Sequence, residues 1–84
     1  MYWVYVLKSQ KNKDVYVGST ENLVKRIKLH NDGRVKSTKA SRPWILLESR
    51  SCNSRSEAVQ LERFLKKGQQ KEILKKKYGL VDKW

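Results

Sequence analysis

Short runs of aromatic and β-branched residues alternate along this chain with stretches in which apolar residues recur every three or four positions. The runs occupy residues 2–7, 14–18 and 44–47, and the last of them is followed by Glu48 and Ser49. Their residue types favour β-strands. The pattern therefore predicts a three-stranded antiparallel sheet.

A polar stretch at residues 9–12 separates the first two runs and has the length of a four-residue hairpin loop. Such a loop pairs Leu7 with Asp14 and sets Tyr5 directly opposite Tyr16. Directly opposed residues lie on the same face of a sheet, about 5 Å apart at their Cβ atoms. We therefore expect the two tyrosines to be neighbours.

The first helical pattern follows the second strand. Hydroxyl caps at Ser19 and Thr20, with Glu21 near the positive end of the helix dipole, predict its start. The sequence Asn-Asp-Gly at residues 31–33 predicts its end. The apolar stripe of this helix consists of Leu23, Val24 and Ile27.

Two further helices are predicted after the third strand. Ser54 and Glu57 form the S-x-x-E pattern of a capping box, which opens the second helix. Gly68 ends that helix, and a lysine-rich third helix covers residues 69–78 before a tail at residues 80–84. The buried face of the second helix is predicted to contain Ala58, Leu61, Phe64 and Leu65.

These elements predict a single domain at residues 1–84, of the α/β class and the α+β type. Helices flank the antiparallel sheet, and the element order is β-β-α-β-α-α. Cys52 is the only cysteine, so the fold needs no disulfide and no oxidising compartment. No targeting segment opens the chain and no apolar run is long enough to cross a membrane, so we expect a cytoplasmic protein with no membrane partner.

Charge points to a polyanionic partner. The chain carries 20 basic and 8 acidic residues, a formal net charge of +12 at pH 7. Nucleic acid is the first partner to consider, with an anionic membrane or ribosomal RNA as alternatives. Lys36, Lys39 and Arg42 are predicted to contact the nucleic-acid backbone through electrostatics alone, which makes binding strongly dependent on salt.

Two carboxylates of the second helix differ in the role that the sequence gives them. Glu57 has a structural use, because its carboxylate can reach back to the Ser54 N–H. Glu62 lies on the flank of the apolar stripe, where a carboxylate is partly desolvated and requires a cation or a metal. A single carboxylate facing a cleft can anchor one hard ion such as Mg²⁺, with water and phosphate oxygens completing the coordination.

Four other polar groups are placed near apolar surface. Tyr5 and Tyr16 lie inside strand patterns, and Arg26 and His30 share one edge of the first helix's apolar stripe. Each taken singly has an ordinary structural explanation, such as a core tyrosine or a histidine facing the helix dipole. With Glu62, they match the needs of phosphodiester hydrolysis: activation of a water, stabilisation of the phosphorane charge and assistance to the leaving oxygen.

The order and spacing of these residues resemble the GIY-YIG nuclease family, and in particular its small stand-alone bacterial members, which are related to the nuclease domain of the excision-repair incision enzyme. The resemblance extends from Tyr2 to about Lys67 and includes Thr38 and the Arg42-Pro43-Trp44 segment. Its central motifs are Val4-Tyr5, Tyr16-Val17-Gly18, Arg26 four residues before His30, and the spaced pattern from Ser56 through Glu62 to Lys66.

The resemblance implies a role for each site residue. Tyr5 would be the general base or the group that orients the water, and Tyr16 a second hydroxyl on the phosphate or on metal-bound water. Arg26 would stabilise the transition-state charge, and Glu62 would hold the single Mg²⁺ or Mn²⁺ ion. His30 would carry protons or contact phosphate.

The chain also departs from the family pattern. Trp3 stands where the family name has glycine, and valines replace both isoleucines. The added DNA-recognition domain and the late asparagine of longer members have no match here. Gly18 is retained, and it would let the backbone pass close to the site and to the nucleic acid, since a side chain there would crowd it.

Three functions remain open at this point. The first is a metal-dependent endonuclease that cuts branched, damaged or single-stranded DNA, with a role in repair or recombination and no small-molecule cofactor. The second is a nucleic-acid-binding module on the same fold with weak or lost cleavage, and the third is a basic RNA-binding protein of other descent. Whether a homodimer or a protein partner selects the target is also left open.

Overall fold

The computed structural model describes residues 1–79, and the predicted tail at residues 80–84 lies outside the described residues. The predicted element order and the three-stranded antiparallel sheet are confirmed. The strands are β1 (Tyr2–Ser9), β2 (Val15–Thr20) and β3 (Trp44–Cys52), and the helices are α1 (Leu23–Asn31), α2 (Arg55–Lys66) and α3 (Gly68–Lys77). A short 3₁₀ turn, Lys39–Ser41, lies in the basic loop before β3.

The sheet has the strand order β2-β1-β3, so the first strand of the chain is central and both of its faces are covered. Val4 and Val6 pack with α2 and α3 on one face. Tyr5 and Leu7 pack with Trp44 and the apolar side of α1 on the other face. Burial on both faces explains why β1 is an uninterrupted apolar run and not an alternating one.

The predicted hairpin register is wrong by two positions. Tyr5 pairs with Gly18, not with Tyr16, which instead lies opposite Leu7. The Ser9 hydroxyl accepts backbone N–H groups two and three residues later, which keeps Ser9 in the strand and moves the loop to residues 10–13. A shift of two leaves each side chain on its predicted face. Tyr5 and Tyr16 are therefore diagonal neighbours, with ring centroids 6.2 Å apart.

Helix α1 begins later than predicted. Strand β2 continues through Ser19 and Thr20, and the N-cap is Asn22, whose side chain accepts the Lys25 N–H at 3.1 Å. The predicted end at residue 31 is confirmed. Val24 was predicted to lie on the apolar stripe, but it is 81% exposed, and Leu23 and Ile27 are the residues of α1 that pack against the sheet.

Helix α2 has its predicted cap, with one difference. The Ser54 hydroxyl accepts the Glu57 N–H, but the Glu57 carboxylate accepts the N–H of Asn53 instead of that of Ser54. Ala58 and Leu65 are buried as predicted, whereas Phe64 is 46% exposed. Within residues 1–79, none of the helices has the length and apolar character needed to span a membrane.

Strand β3 is longer than the apolar run that predicted it. Its polar second half pairs with β1 as far as Cys52, because an edge strand needs burial on only part of its surface. Glu48 in this half accepts hydrogen bonds from Lys77 at 3.0 Å and from the Tyr78 hydroxyl at 2.6 Å. These bonds fix the end of α3 to the sheet.

Replacing Asn22 by alanine tests the start of α1. The variant Asn22→Ala leaves the Lys25 N–H without its acceptor, so we expect the free energy of unfolding to fall by about 1 kcal/mol in urea denaturation. Asn22→Asp retains an acceptor and should keep most of that stability. An unchanged midpoint for Asn22→Ala would show that the helix starts elsewhere.

Candidate active site

A continuous chain of hydrogen bonds crosses the face of the sheet covered by α1. The Tyr5 hydroxyl lies 2.9 Å from Nε2 of His30, and Nδ1 of His30 lies 2.8 Å from Oγ1 of Thr38. At one end, Nε of Arg26 approaches the Tyr5 oxygen at 3.4 Å, and at the other, the Thr38 hydroxyl donates to the Val35 carbonyl at 3.3 Å.

The end groups of this chain determine where its protons lie. The Arg26 guanidinium can only donate, so the Tyr5 oxygen accepts from it. Because the Thr38 hydroxyl donates to a carbonyl, its oxygen accepts from Nδ1–H of His30. Nε2 of the neutral imidazole is then free to accept the Tyr5 O–H. All of the bonds run in one direction, from Arg26 through Tyr5 and His30 to Thr38.

Aromatic packing holds this chain in place. The Tyr16 ring meets the His30 ring edge-on, with centroids 4.9 Å apart, and lies 6.3 Å from Trp44. The indole N–H of Trp44 donates to the Thr38 carbonyl at 2.9 Å. Trp44 therefore holds both the ring and the loop segment that position His30.

Gly18 lies directly over the Tyr5 ring. A Cβ atom built at Gly18 would be 2.6 Å from the Tyr5 hydroxyl oxygen and 2.9 Å from Cε2 of Tyr16. These separations are shorter than non-bonded atoms tolerate, so glycine is needed for the close approach of β2 to the hydroxyl. The expected crowding by a side chain at this position thus has a specific geometric cause.

Burial shifts the pKa values of Tyr5 and His30, the two partners of the central hydrogen bond. Desolvation raises the pKa of Tyr5 to about 12, against the opposing effect of Arg26 and with smaller increases from Tyr16 and Glu62. Desolvation, with the positive charge of Arg26, lowers the pKa of His30 to about 4. At neutral pH the site therefore contains a protonated tyrosine and an uncharged histidine.

The site residues differ in access to solvent. Tyr5 and His30 are both 0% exposed, so a direct phosphate contact is not available to either in this conformation. Arg26 and Tyr16 are partly exposed. These two residues are therefore the members of the cluster that a bound molecule meets first.

Glu62 approaches from the opposite side of the sheet. It lies on α2, which packs on the face away from Tyr5, and its Oε1 accepts the Ser19 hydroxyl at 2.6 Å. Its Oε2 lies 2.7 Å from Nζ of Lys66, one helical turn later. That ammonium is 6.0 Å from the centroid of the Tyr16 ring. Because β2 is an edge strand, groups from both faces meet around its free side.

The environment of Glu62 keeps its carboxylate ionised. Burial acts to raise its pKa, but hydrogen bonds from Lys66 and Ser19 outweigh this effect, so that the pKa lies below its usual range. No group of three histidine, cysteine or acidic side chains clusters in the described part of the chain. A divalent ion at Glu62 would therefore take most of its ligands from water and phosphate oxygens, a donor set suited to Mg²⁺ or Mn²⁺.

The structure brings the three basic residues predicted to contact the nucleic-acid backbone into one cleft, and Gly18 lies elsewhere, against Tyr5. Lys36, Lys39 and Arg42, with Lys11, line a cleft of about 410 Å³. Lys36 and Lys39 flank the buried Thr38, so the basic loop and the hydrogen-bond chain share one segment.

The sequence did not predict a role in the site for three of its residues. Ser19 was expected to cap a helix, but its hydroxyl binds Glu62. Thr38 and Lys66 were noted only as part of the resemblance. The spacing of four between Glu62 and Lys66 does predict an ion pair on a helix. The contacts of Ser19 and Thr38 join separate elements, and local periodicity does not predict such contacts.

A family model described as the GIY-YIG catalytic domain matches residues 1–78. The chain belongs to this GIY-YIG family. It is 42% identical over 67 residues to UPF0213 protein YazA of Bacillus subtilis. This match covers 79% of this chain and 67% of that relative. It is 36% identical over 75 residues to UPF0213 protein SH2523 of Staphylococcus haemolyticus, covering 88% of this chain and 90% of that relative.

A solved relative supports the same grouping. The solution NMR structure of UPF0213 protein BH0048 from Bacillus halodurans aligns with a TM-score of 0.54 at 31% identity, covering 88% of this chain and 82% of that chain. The resemblance to small GIY-YIG members is thus confirmed. The roles of the individual site residues stay predictions.

Titration of His30 tests the buried hydrogen-bond chain. It is the only histidine, so its imidazole NMR signals can be followed without assignment by mutation. We expect a midpoint near the folded pKa of about 4, well below the ordinary value of 6.5.

The same titration has a consequence for stability. Between these two pKa values the unfolded chain binds a proton that the folded chain does not, so stability is lost as the pH falls from 6.5 towards 4, by up to about 3 kcal/mol. The variant His30→Gln should lack this part of the loss. An imidazole midpoint near 6.5 would contradict the assigned network.

Proposed function

We propose that this GIY-YIG domain is a divalent-metal-dependent endonuclease that hydrolyses DNA phosphodiester bonds. The observation that carries the proposal is the hydrogen bond from the Tyr5 hydroxyl to an uncharged His30. Through this bond, the Tyr5 oxygen can take a proton from water while His30 removes the proton that the Tyr5 hydroxyl already carries. Family membership supports the reaction class.

The proposed proton path balances at each atom. Substrate binding has to open the buried Tyr5 oxygen to a water; as that water attacks the phosphorus, its proton passes to the Tyr5 oxygen, and the original Tyr5 proton passes to Nε2 of His30. The histidine becomes an imidazolium, which Thr38 stabilises by accepting Nδ1–H. Tyr5 is neutral before and after the step.

The pKa values favour a concerted transfer over a stable phenolate. Burial places the pKa of the donor Tyr5 well above that of the acceptor His30, so complete transfer is strongly unfavourable in the resting site. The Tyr5 proton therefore moves only while the attacking water delivers another. In this mechanism His30 acts through Tyr5 and does not touch the phosphate.

Arg26 and Tyr16 are proposed to contact the phosphate, since both are partly exposed and lie next to Tyr5. The Arg26 guanidinium would stabilise the charge that develops on the phosphorane oxygens. Removing one donor of this kind typically costs a factor of about 10² to 10³ in rate. Tyr16 would orient the phosphate by its hydroxyl.

Glu62 is proposed to hold one Mg²⁺ or Mn²⁺ ion. Such an ion, when bound, neutralises charge on the phosphate and its leaving oxygen. The carboxylate is ionised and partly desolvated, with 23% of the side chain exposed, and Ser19 fixes its orientation. These properties support Glu62 over Glu57, which is engaged in capping α2.

The proposed substrate is DNA, bound through its backbone. The net charge of +12 and the basic cleft support attraction to phosphates without reading of sequence. We propose cleavage directed by structure, such as branches or damage, in repair or recombination in the cytoplasm. Target selection would then fall to a second copy or a protein partner.

A second function is favoured by one observation. In the described conformation Tyr5 is fully buried and both oxygens of Glu62 are engaged by protein groups. A domain held permanently in this state would bind nucleic acid through its basic surface and cut it weakly or not at all. The two functions differ in whether divalent metal and DNA together produce cleavage.

Cleavage of supercoiled plasmid and of branched DNA tests the enzyme proposal. We expect nicking that requires Mg²⁺ or Mn²⁺ and falls at least about 10²-fold in Glu62→Gln and in Tyr5→Phe, since each removes a group used in the reaction. Glu57→Gln makes the same change on the same helix, away from the site, and should retain activity.

Two outcomes would count against this proposal. Undiminished nicking by both Glu62→Gln and Tyr5→Phe would refute the site assignment. Binding of DNA by the wild type, with no cutting in either metal, would support the binding module instead.

The salt dependence of DNA binding tests the basic cleft. Each lost phosphate contact should reduce the slope of log K against log salt concentration by about one. We expect this change for Lys36→Ala and for Lys39→Ala in fluorescence anisotropy with a labelled duplex. Lys76→Ala removes the same charge from α3, outside the cleft, and equal slopes for the three variants would argue against a defined site.

A further inference from the structure

The Glu62 carboxylate already has a cation as partner. Nζ of Lys66 lies 2.7 Å from Oε2, and the pair is only partly exposed, at 47% of the Lys66 side chain and 23% of that of Glu62. Ser19 binds the other oxygen. The place where a metal would sit against Glu62 is therefore beside an ammonium group of the same helix.

An ammonium and a divalent ion cannot share this carboxylate at low cost. Both would lie within about 4 Å of each other, with three positive charges in total and limited solvent between them. The repulsion would have to be relieved by movement of one cation. Lys66 can move, because its charge sits on a flexible four-carbon stem at the solvent-exposed end of α2.

We propose that Lys66 is a tethered counter-ion of Glu62, which occupies the carboxylate in the metal-free protein and leaves it when a divalent ion binds. This inference rests on the proposed metal role of Glu62. In its present position the ammonium lies 6.0 Å from the centroid of the Tyr16 ring, so a small movement toward that ring would take it away from Glu62. Lys66 is thus a positioning residue that controls access to Glu62.

If Lys66 is a counter-ion of Glu62, its ammonium competes with a divalent ion for the carboxylate and weakens metal binding. Lys66 keeps Glu62 ionised and oriented when no metal is present, and the same ion pair must be broken before metal binds. Removing the ammonium should therefore tighten metal binding, although it removes a hydrogen bond from the resting protein. A purely structural ion pair would give the opposite result, because loss of Lys66 would leave Glu62 less well ordered.

Mn²⁺ titration of the isotope-labelled protein, without DNA, tests the exchange. Mn²⁺ broadens amide signals close to it, so broadening at Ser19 and Glu62 reports the dissociation constant at this carboxylate. We expect Lys66→Met to lower that constant by up to about fivefold, the upper end of what an exposed ion pair is worth. Lys66→Arg should resemble the wild type.

The neighbouring lysine supplies a matched control. Lys67 lies over the Phe64 ring, with Nζ 5.9 Å from its centroid, so Lys67→Met changes the net charge equally without touching Glu62. Glu62→Gln should abolish the broadening, and unchanged spectra away from α2 show that each variant is folded.

The outcomes separate the exchange from the metal site itself. Tighter binding in Lys66→Met than in Lys67→Met supports the exchange. Equal or weaker binding, still dependent on Glu62, overturns the exchange and leaves the proposed metal site intact. No broadening that depends on Glu62 in any variant overturns both the exchange and the metal role in the proposed function.

Discussion

The hydrogen bond between the Tyr5 hydroxyl and Nε2 of His30 ties the central strand to the last turn of α1 in a region without solvent. A buried hydroxyl and a buried imidazole each cost stability unless every polar atom has a partner. Thr38 therefore has to accept from the second ring nitrogen, and Trp44 has to hold the Thr38 carbonyl. The path of the basic loop follows from these bonds, and so does the position of its cleft.

The second constraint is that β2 lies at the edge of the sheet. A side chain on one face of a sheet interior cannot reach a group on the other face, but around a free edge the two faces meet. Tyr16 on one face and the Glu62–Lys66 pair on the other approach each other there. Gly18 allows this strand to approach the Tyr5 ring closely, since any side chain at that position would displace the Tyr5 hydroxyl. Fold and candidate site thus share the same few residues.

The sequence predicted what depends on local pattern. The element order, the common face of Tyr5 and Tyr16, and the special position of Glu62 all follow from periodicity of two or 3.6 residues. The hairpin register was not predicted correctly, because hydrogen bonds to the Ser9 hydroxyl moved the loop by one residue. The hydrogen bond from Ser19 to Glu62 was not predicted either, because it joins residues 43 positions apart and depends on how α2 packs on the sheet.

The central claim is that Tyr5 and His30 act as one unit in proton transfer. The most direct measurement is a double-mutant cycle on the single-turnover cleavage rate, with Tyr5→Phe, His30→Gln and the double variant. If His30 acts only through Tyr5, the double variant should be no slower than the slower of the two single variants. Rate losses that multiply would show that the two residues act independently, and would contradict the account.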